Sequence, residues 1–333
     1  MSHRKLAGKF EIAVLGAGAI GSILGAHLAR AGHSVAMLAR GRRADGIEAQ
    51  GLGICGLIEF STPVTVLRDP AALQGADVLI VAMKTPGTEA ALAALRHVNV
   101  GAAFSIQNGP VKNELLAAAF GAAKVLGSLA DTSGEMLPDG RVLFTRNVRI
   151  LLGELSGALS RRASDVAATL DASGVRSSAV ANILGLEWSK FATWVGMFSL
   201  SVLTRSVTWR YLVDPDAALV MVRLTREMER LARGLGIELT DEANLPAASL
   251  CRGSEESAVE ILMNRGRVFE SSAPEHRVSS LQDLNAGRPL EVHETLGYAL
   301  RKATEHGISM PLLDGFYRVI STVDRIRGAT QVS

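Results

Sequence analysis

Cysteine is nearly absent from this 333-residue chain: Cys55 and Cys251 are the only two, and they stand far apart. Neither lies in a CxxC or metal-ligand spacing, so the sequence offers no disulfide framework, and buried free thiols are the plain reading. No His/Asp/Glu cluster has ligand spacing either, and no metal is expected. Charge of one sign is also missing. The 35 Lys and Arg against 33 Asp and Glu leave a net charge of +2, which gives no electrostatic footprint for a nucleic-acid partner. No uninterrupted apolar run reaches the roughly 20 residues that cross a bilayer, so no membrane partner is expected. The opening MSHRKLAGKF lacks a long apolar core, and residues 1–9 read as a disordered lead-in with the cytoplasm as default address. Internal repeats, low-complexity segments and long linkers are missing as well.

What remains is the composition of a globular protein, 48% hydrophobic and 20% charged, long enough for two domains. The stretch 10–38, FEIAVLGAGAIGSILGAHLARAGHSVAML, organises the rest. An apolar run at 12–15 meets a glycine-rich turn, then an Ala-rich helical pattern over 20–31, then a second apolar run at 35–38. Gly16, Gly18 and Gly21 stand in the spacing G-x-G-x-x-G. Gly16 allows the tight turn out of a strand, Gly18 lets a pyrophosphate approach the backbone, and Gly21 lets the helix lie close on a sheet. Ala17, Ala19 and Ile20 complete this candidate cofactor loop, whose helix would present unpaired N–H groups and a positive dipole end to phosphates. A purely structural turn is the alternative.

About twenty residues beyond the glycines, a dinucleotide fold often carries an acid for the adenosine ribose. Here Arg40 stands there, followed by Arg42 and Arg43. Guanidinium groups suit a 2′-phosphate, so the cofactor expected is NADP(H); a solvated basic loop is the alternative. Residues 51–67 alternate and suggest one or two strands. The run 77–83 reads as a buried parallel strand ending at Lys84, at the carboxyl edge where open α/β sheets bind ligands. Thr88 and Glu89 open another helix. A strand at 102–106 ends in Gln107, Asn108 and Gly109, and strands are expected at 125–132 and 142–153 around the turn 138–140. From about residue 182 the texture becomes helical, over 184–202, 215–235 and 289–305. The fold class is therefore α/β: an N-terminal Rossmann dinucleotide-binding domain (1–180), then an all-α C-terminal domain (181–333).

Taken in order, GAGAIG, LARG, the Lys84 strand end, IQNG, Trp188-Ser189-Lys190 and the late block SSLQDLNAGRPLE ending in Glu291 resemble ketopantoate reductases (2-dehydropantoate 2-reductases) along almost the whole chain. The resemblance implies an active site in the cleft between the domains and NADPH-dependent reduction of a 2-oxo acid, a small-molecule substrate, to a 2-hydroxy acid. It implies that Lys190 is the catalytic lysine, polarising the ketone and supplying the proton as hydride arrives. Glu291 matches the glutamate holding substrate and lysine in register and reaching the cofactor. Ser279 matches a serine on the substrate carboxylate, Asn108 a residue lining nicotinamide and substrate, and Lys84 a lysine near the nicotinamide. Each has a structural alternative: Lys190 as a surface lysine, Glu291 as an exposed first-turn residue after Pro289, Ser279 as a cap or turn. His293 stands where the family has an acidic residue outside the chemistry, and it reads as structural.

The chain departs from the family on the Lys190 helix. Trp194 and Phe198 occupy positions, four and eight residues on, where asparagines usually reach the substrate, and Leu296-Gly297 replaces an Asn-Gly pair. Aromatic surface there would desolvate Lys190 and favour a more apolar substrate, an aryl or branched 2-oxo acid. A shifted helix presenting Thr193 or Thr204 instead is the alternative. Ketopantoate stays the leading substrate; another carbonyl compound, or an inactive NADP(H) sensor, are the competing functions. Apolar surface on such a helical domain suggests a homodimer.

Overall fold

The computed structural model describes residues 9–330. The lead-in expectation falls on residues 1–8, outside the described residues, and Lys9 already belongs to a strand. Two compact units result. The first holds the described residues up to Gln107 together with Lys112–Leu184; the second holds Asn108–Val111 and the chain from Gly185.

The first unit is mixed α/β. Its strands are β1 (Lys9–Leu15), β2 (Val35–Leu38), β3 (Leu52–Gly56), β4 (Phe60–Thr62), β5 (Thr65–Leu67), β6 (Gly75–Val81), β7 (Asn99–Ser105), β8 (Leu126–Met136), β9 (Val142–Glu154) and β10 (Ser177–Ala179). Its helices are α1 (Ala19–Arg30), α2 (Gly41–Gln50), α3 (Thr88–Ala93), α4 (Val111–Phe120) and α5 (Arg161–Ala172). Five strands form one parallel sheet in the order β5-β2-β1-β6-β7, so the order reverses between β1 and β6. Leu15 pairs with both Leu38 and Val81, which sets the three strand ends side by side at the switch point where such sheets bind ligands. Buried apolar residues on both faces, Val14 and Ile80 on one and Ala13 and Leu79 on the other, explain why these strands read as unbroken apolar runs.

Residues 51–67 depart from expectation. They make three strands in two sheets: β3 and β4 form an antiparallel pair in the second sheet, while β5 joins β2 in the first. The break comes at Pro63, which has no N–H to donate to a ladder. Strand β8 runs on to Met136, four residues past the alternating stretch, because two register shifts after Asp131 and Ser133 let it keep its pairing with β9.

The second unit is helical: α6 (Ile183–Thr204), α7 (Thr208–Val213), α8 (Pro215–Gly234), α9 (Ala247–Cys251), α10 (Glu255–Ser272), α11 (Ser279–Asn285), α12 (Leu296–Glu305) and α13 (Pro311–Thr330). Among the described residues no helix is long and apolar enough to cross a membrane. Helix α6 is buried along most of its length and supplies the core, from Trp188 to Val202. Helix α8 starts where it should, with Asp214 accepting from Ala217 N at 2.9 Å and Pro215 in the first turn. Its buried Glu227 then serves another helix. Both carboxylate oxygens accept amides at the start of α13, from Leu312 at 3.1 Å and Leu313 at 2.9 Å. A negative group at a helix N-terminus offsets the orphan donors and the dipole together.

One expected helix is shorter than its pattern. The stretch 289–305 is helical only from Leu296. Ahead of it, Leu290 N donates to Asp324 Oδ1 at 3.1 Å, and the Thr295 hydroxyl donates to the Glu291 carbonyl. Side chains thus take the backbone groups that a first turn would use. Helices α10 and α13 have no counterpart among the three long patterns marked in the sequence.

In the first unit, His27 on α1 is 4% exposed, with Phe60 and Phe144 edge-on to it at 5.1 and 5.6 Å between centroids. Its Nδ1 lies 2.9 Å from the Ser173 carbonyl, which only accepts, so the proton sits on Nδ1 and the buried Nε2 is left without a partner. Burial lowers the imidazole pKa and the Arg30 charge adds to this, against the opposing pull of the Ser173 carbonyl. Above pH 6.5 both folded and unfolded chains hold a neutral imidazole here; below it the unfolded chain takes up a proton that the folded chain resists. Stability is therefore expected to fall as pH drops through about 6.5, and His27→Gln should flatten that slope in thermal unfolding measured from about pH 7.5 to 5. An unchanged slope in the variant would contradict the assignment.

Candidate functional site

The three glycines of the first turn do different jobs. Gly16, directly after β1, has φ 108°. A Cβ there would sit 2.8 Å from the Met83 amide nitrogen and 2.9 Å from the Met83 Cβ, so a side chain is refused twice, by conformation and by space. A Cβ on Gly21 would overlap the Gly16 carbonyl oxygen. Gly18 differs from both. Its φ of −71° and ψ of −170° suit any residue, and an added Cβ would meet nothing nearer than the Ala82 oxygen at 3.9 Å. The protein's own packing does not require glycine at 18. Gly18 is also the N-cap of α1, which has no side-chain cap and no acidic residue in its first turn. Ser22 N donates to the Gly18 carbonyl at 2.9 Å, so the amides ahead of it, at Ala19, Ile20 and Gly21, have no acceptor within the helix. Uncapped amides, room at Gly18 and a sheet switch point together fit a pyrophosphate-bearing dinucleotide.

The three arginines after β2 also separate. Arg40 is the N-cap of α2 and is exposed, as is Arg42. Arg43 turns inward, its Nε donating to the Ala17 carbonyl at 3.0 Å, Nη1 to the Gly140 carbonyl at 2.7 Å and Nη2 to Ser22 Oγ at 2.7 Å. Arg40, at the carboxyl end of β2, thus stays exposed, whereas Arg43 is committed to the protein's own carbonyls and Ser22. Beyond β6, the exposed Lys84 sits in a loop tied down by Gln107. The Gln107 amide donates to the Met83 carbonyl at 2.9 Å and to Thr88 Oγ1 at 2.7 Å, and that hydroxyl donates to the Lys84 carbonyl at 3.1 Å. The sequence marks Gln107 only as a polar strand tip. Its bracing of the Lys84 loop depends on β6 and β7 being neighbours, which no local pattern states.

The other site residues belong to the helical unit. Lys190 is half-buried on α6, and its neighbours Trp188 and Phe191 meet edge-to-face at 5.8 Å. Asn108 is half-buried in the short segment that joins this unit, where a Cβ on Gly109 would lie 3.3 Å from Phe191 Cε2. Trp194 and Phe198 stack at 5.0 Å with their planes inclined by 53°. They are 7% and 1% exposed, within the core that also holds Phe191 and Tyr298. Thr193 and Thr204 spend their hydroxyls on their own helix, on the carbonyls of Lys190 at 3.2 Å and Leu200 at 2.7 Å.

Ser279 is the half-buried first residue of α11, whose N-cap is Val278, so the serine does not cap the helix. Its neighbour Ser280 shares a hydrogen bond with Ser201 at 3.0 Å, joining α11 to α6 about three turns beyond Lys190. Glu291 is 8% exposed and lies in the loop before α12, not in a first helical turn. That loop is held by Asp324 on Leu290 N, by Gly297 N on the Val292 carbonyl at 3.0 Å and by Arg301 Nη1 on the His293 carbonyl at 3.2 Å. His293 faces Tyr317, with Nδ1 2.9 Å from its hydroxyl. Among the described residues no group of three His, Cys, Asp or Glu side chains could hold a metal ion.

Comparison with known proteins matches residues 12–157 to the family described as ketopantoate reductase PanE/ApbA and residues 182–324 to its C-terminal part. The 2-dehydropantoate 2-reductase of Archaeoglobus fulgidus is 29% identical over 298 residues, covering 90% of this chain and 92% of that protein. Among solved structures, a PanE/ApbA family ketopantoate reductase from Ralstonia eutropha superposes with a TM-score of 0.79 at 24% identity, over 96% of this chain and 99% of that one. D-mandelate dehydrogenase, solved with NADH and anilino(oxo)acetate, has the same fold with a TM-score of 0.80 at 18% identity and the same coverage. With both parts of the family matched in order along the two units, the chain belongs to the ketopantoate reductase family of oxidoreductases.

Proposed function

We propose that this protein reduces a 2-oxo acid to the 2-hydroxy acid with NADPH, ketopantoate being the leading substrate. The observation that carries the cofactor half is Gly18: a glycine without a packing reason, at the head of an uncapped helix, at the point where the strand order reverses. The nicotinamide, when bound, supplies hydride. Arg40 takes the 2′-phosphate, the amides at the start of α1 take the pyrophosphate, and Lys84 stands at the nicotinamide end. Lys190 polarises the substrate carbonyl and gives the proton that the new hydroxyl keeps, since an alkoxide without a donor is costly to form. Glu291 holds that lysine and the cofactor edge in register, Ser279 meets the substrate carboxylate, and Asn108 orients the reacting groups.

Substrate choice rests on Trp194 and Phe198. Phe198, 1% exposed, is already covered by its own core, which supports a structural role there and leaves ketopantoate in the lead. A second reading, an aryl or branched 2-oxo acid, is favoured by Trp194 standing one turn from Lys190 on α6 and by the shared fold of D-mandelate dehydrogenase. Both substrates call on the same lysine. The reading includes pairing of two chains, as in the dimeric ketopantoate reductase of Staphylococcus aureus.

Two substitutions test this assignment. Lys190→Ala should lower kcat by about 100-fold or more while NADPH affinity, followed by fluorescence titration, stays within about twofold; loss of cofactor binding would count against the lysine's role. Gly18→Ala should keep the fold, at a cost of about 1 kcal/mol from the weaker N-cap, since an added Cβ meets nothing nearer than 3.9 Å, yet weaken NADPH binding about tenfold or more. Equal affinity in that variant would remove the argument from Gly18.

A further inference from the structure

Of the three arginines that open α2, Arg43 alone is buried enough to matter to the fold, and its partners are unusual for a guanidinium. All three are neutral: two carbonyl oxygens and a hydroxyl. None of these partners is a carboxylate, although Glu59 and Asp139, the latter paired with Arg141 at 2.7 Å, line the same cavity. Ser22 Oγ, which accepts from Nη2, itself donates to the Ala17 carbonyl at 3.2 Å. Arg43, Ser22 and Ala17 therefore form a closed ring of hydrogen bonds directly beneath the glycine-rich turn, and the third arm reaches Gly140 between β8 and β9.

We propose that Arg43 is a positioning residue for the dinucleotide, fixing the peptide between Ala17 and Gly18 from behind and lending the turn a positive charge. In a trans peptide the C=O and the following N–H point to opposite sides. Two donors on the Ala17 carbonyl draw it toward α2 and the interior, which turns the Gly18 amide to the opposite side. Gly18 is exposed and a Cβ there would meet nothing nearer than the Ala82 oxygen at 3.9 Å, so the braced peptide lies at the surface that a pyrophosphate would approach. A guanidinium with five donors in a planar fork can reach Ala17, Ser22 and Gly140 at once; an ammonium cannot keep that geometry. Burial lowers the Arg43 pKa, yet an arginine stays protonated throughout the neutral range. Its charge then lies closer to the interior side of the turn than the exposed Arg40 and Arg42, where solvent screens less.

This inference rests on the dinucleotide reading above, and it predicts a pattern that a 2′-phosphate contact would not give. Pyrophosphate is common to NADPH and NADH, whereas the 2′-phosphate is not. Dissociation constants for both should be measured by fluorescence titration with the full chain, its Arg43→Met, Arg43→Lys and Ser22→Ala variants, and an Arg40→Met control. Arg43→Met should weaken NADPH and NADH by the same factor, about tenfold to 100-fold, leaving their ratio unchanged. Arg43→Lys, which keeps the charge and loses the fork, should recover only part of that, and Ser22→Ala should lose less than Arg43→Met. Arg40→Met should instead weaken NADPH selectively. A loss confined to NADPH in Arg43→Met would overturn the proposal by assigning the side chain to the 2′-phosphate, and so would unchanged affinity for both cofactors. If Arg43→Met unfolds below the titration temperature, Arg43→Lys and Ser22→Ala decide on the same ratio. No binding of either cofactor by the unaltered chain would overturn the dinucleotide reading itself, a result that the variant ratios cannot mimic.

Discussion

Helix α1 meets the sheet backbone against backbone. The carbonyl of Gly16 occupies the space that a Gly21 side chain would need, and the Met83 amide occupies that of Gly16. No other residue fits either place, so the angle at which α1 leaves the sheet is set by these two glycines. Everything in the first unit's candidate site follows from that contact. It fixes where the uncapped amides of α1 point, beside the adjacent ends of β1, β2 and β6, and it leaves Gly18 exposed. Arg43 and Gln107 then stiffen what the contact arranges, one behind the glycine turn and one under the Lys84 loop.

The helical unit depends on a different constraint. Helix α6 is buried along most of its length, several of its hydroxyls and Glu187 included, and the helices around it supply the apolar sides that its core residues need. Lys190 rides on that buried helix about two turns from its start. The lysine is half-buried there, between the buried Ser189 and Phe191. The loop that carries Glu291 is pinned by Asp324 of α13, and α13 in turn begins on the buried Glu227 of α8. Asp324 and Glu227 thus help determine where Glu291 stands.

Much of this was legible in the residues. The β1–α1–β2 unit, the buried strands and the long helices α6 and α8 come from short-range periodicity, which a linear pattern records faithfully. What escaped was non-local. The stretch 51–67 divides between two sheets because partners distant in sequence claim its parts, and Pro63 was the local hint. The pattern over 289–305 was amphipathic enough for a helix throughout, but Asp324 and the Thr295 hydroxyl took its first backbone groups. The three arginines look alike in sequence; only the turn of α2 separates the inward Arg43 from the exposed Arg40 and Arg42. Trp194 and Phe198 stood out as departures from a family pattern, and their stacking within the core gives them a packing role that spacing alone could not assign.

The central claim is that this fold and its lysine serve reduction of a 2-oxo acid. The most direct test follows NADPH oxidation by absorbance with ketopantoate, run beside aryl and branched-chain 2-oxo acids at matched concentrations. Ketopantoate-dependent oxidation, with a kcat/KM above that for every other acid, is the result predicted. Tight NADPH binding with no oxidation by any acid in the series would contradict it.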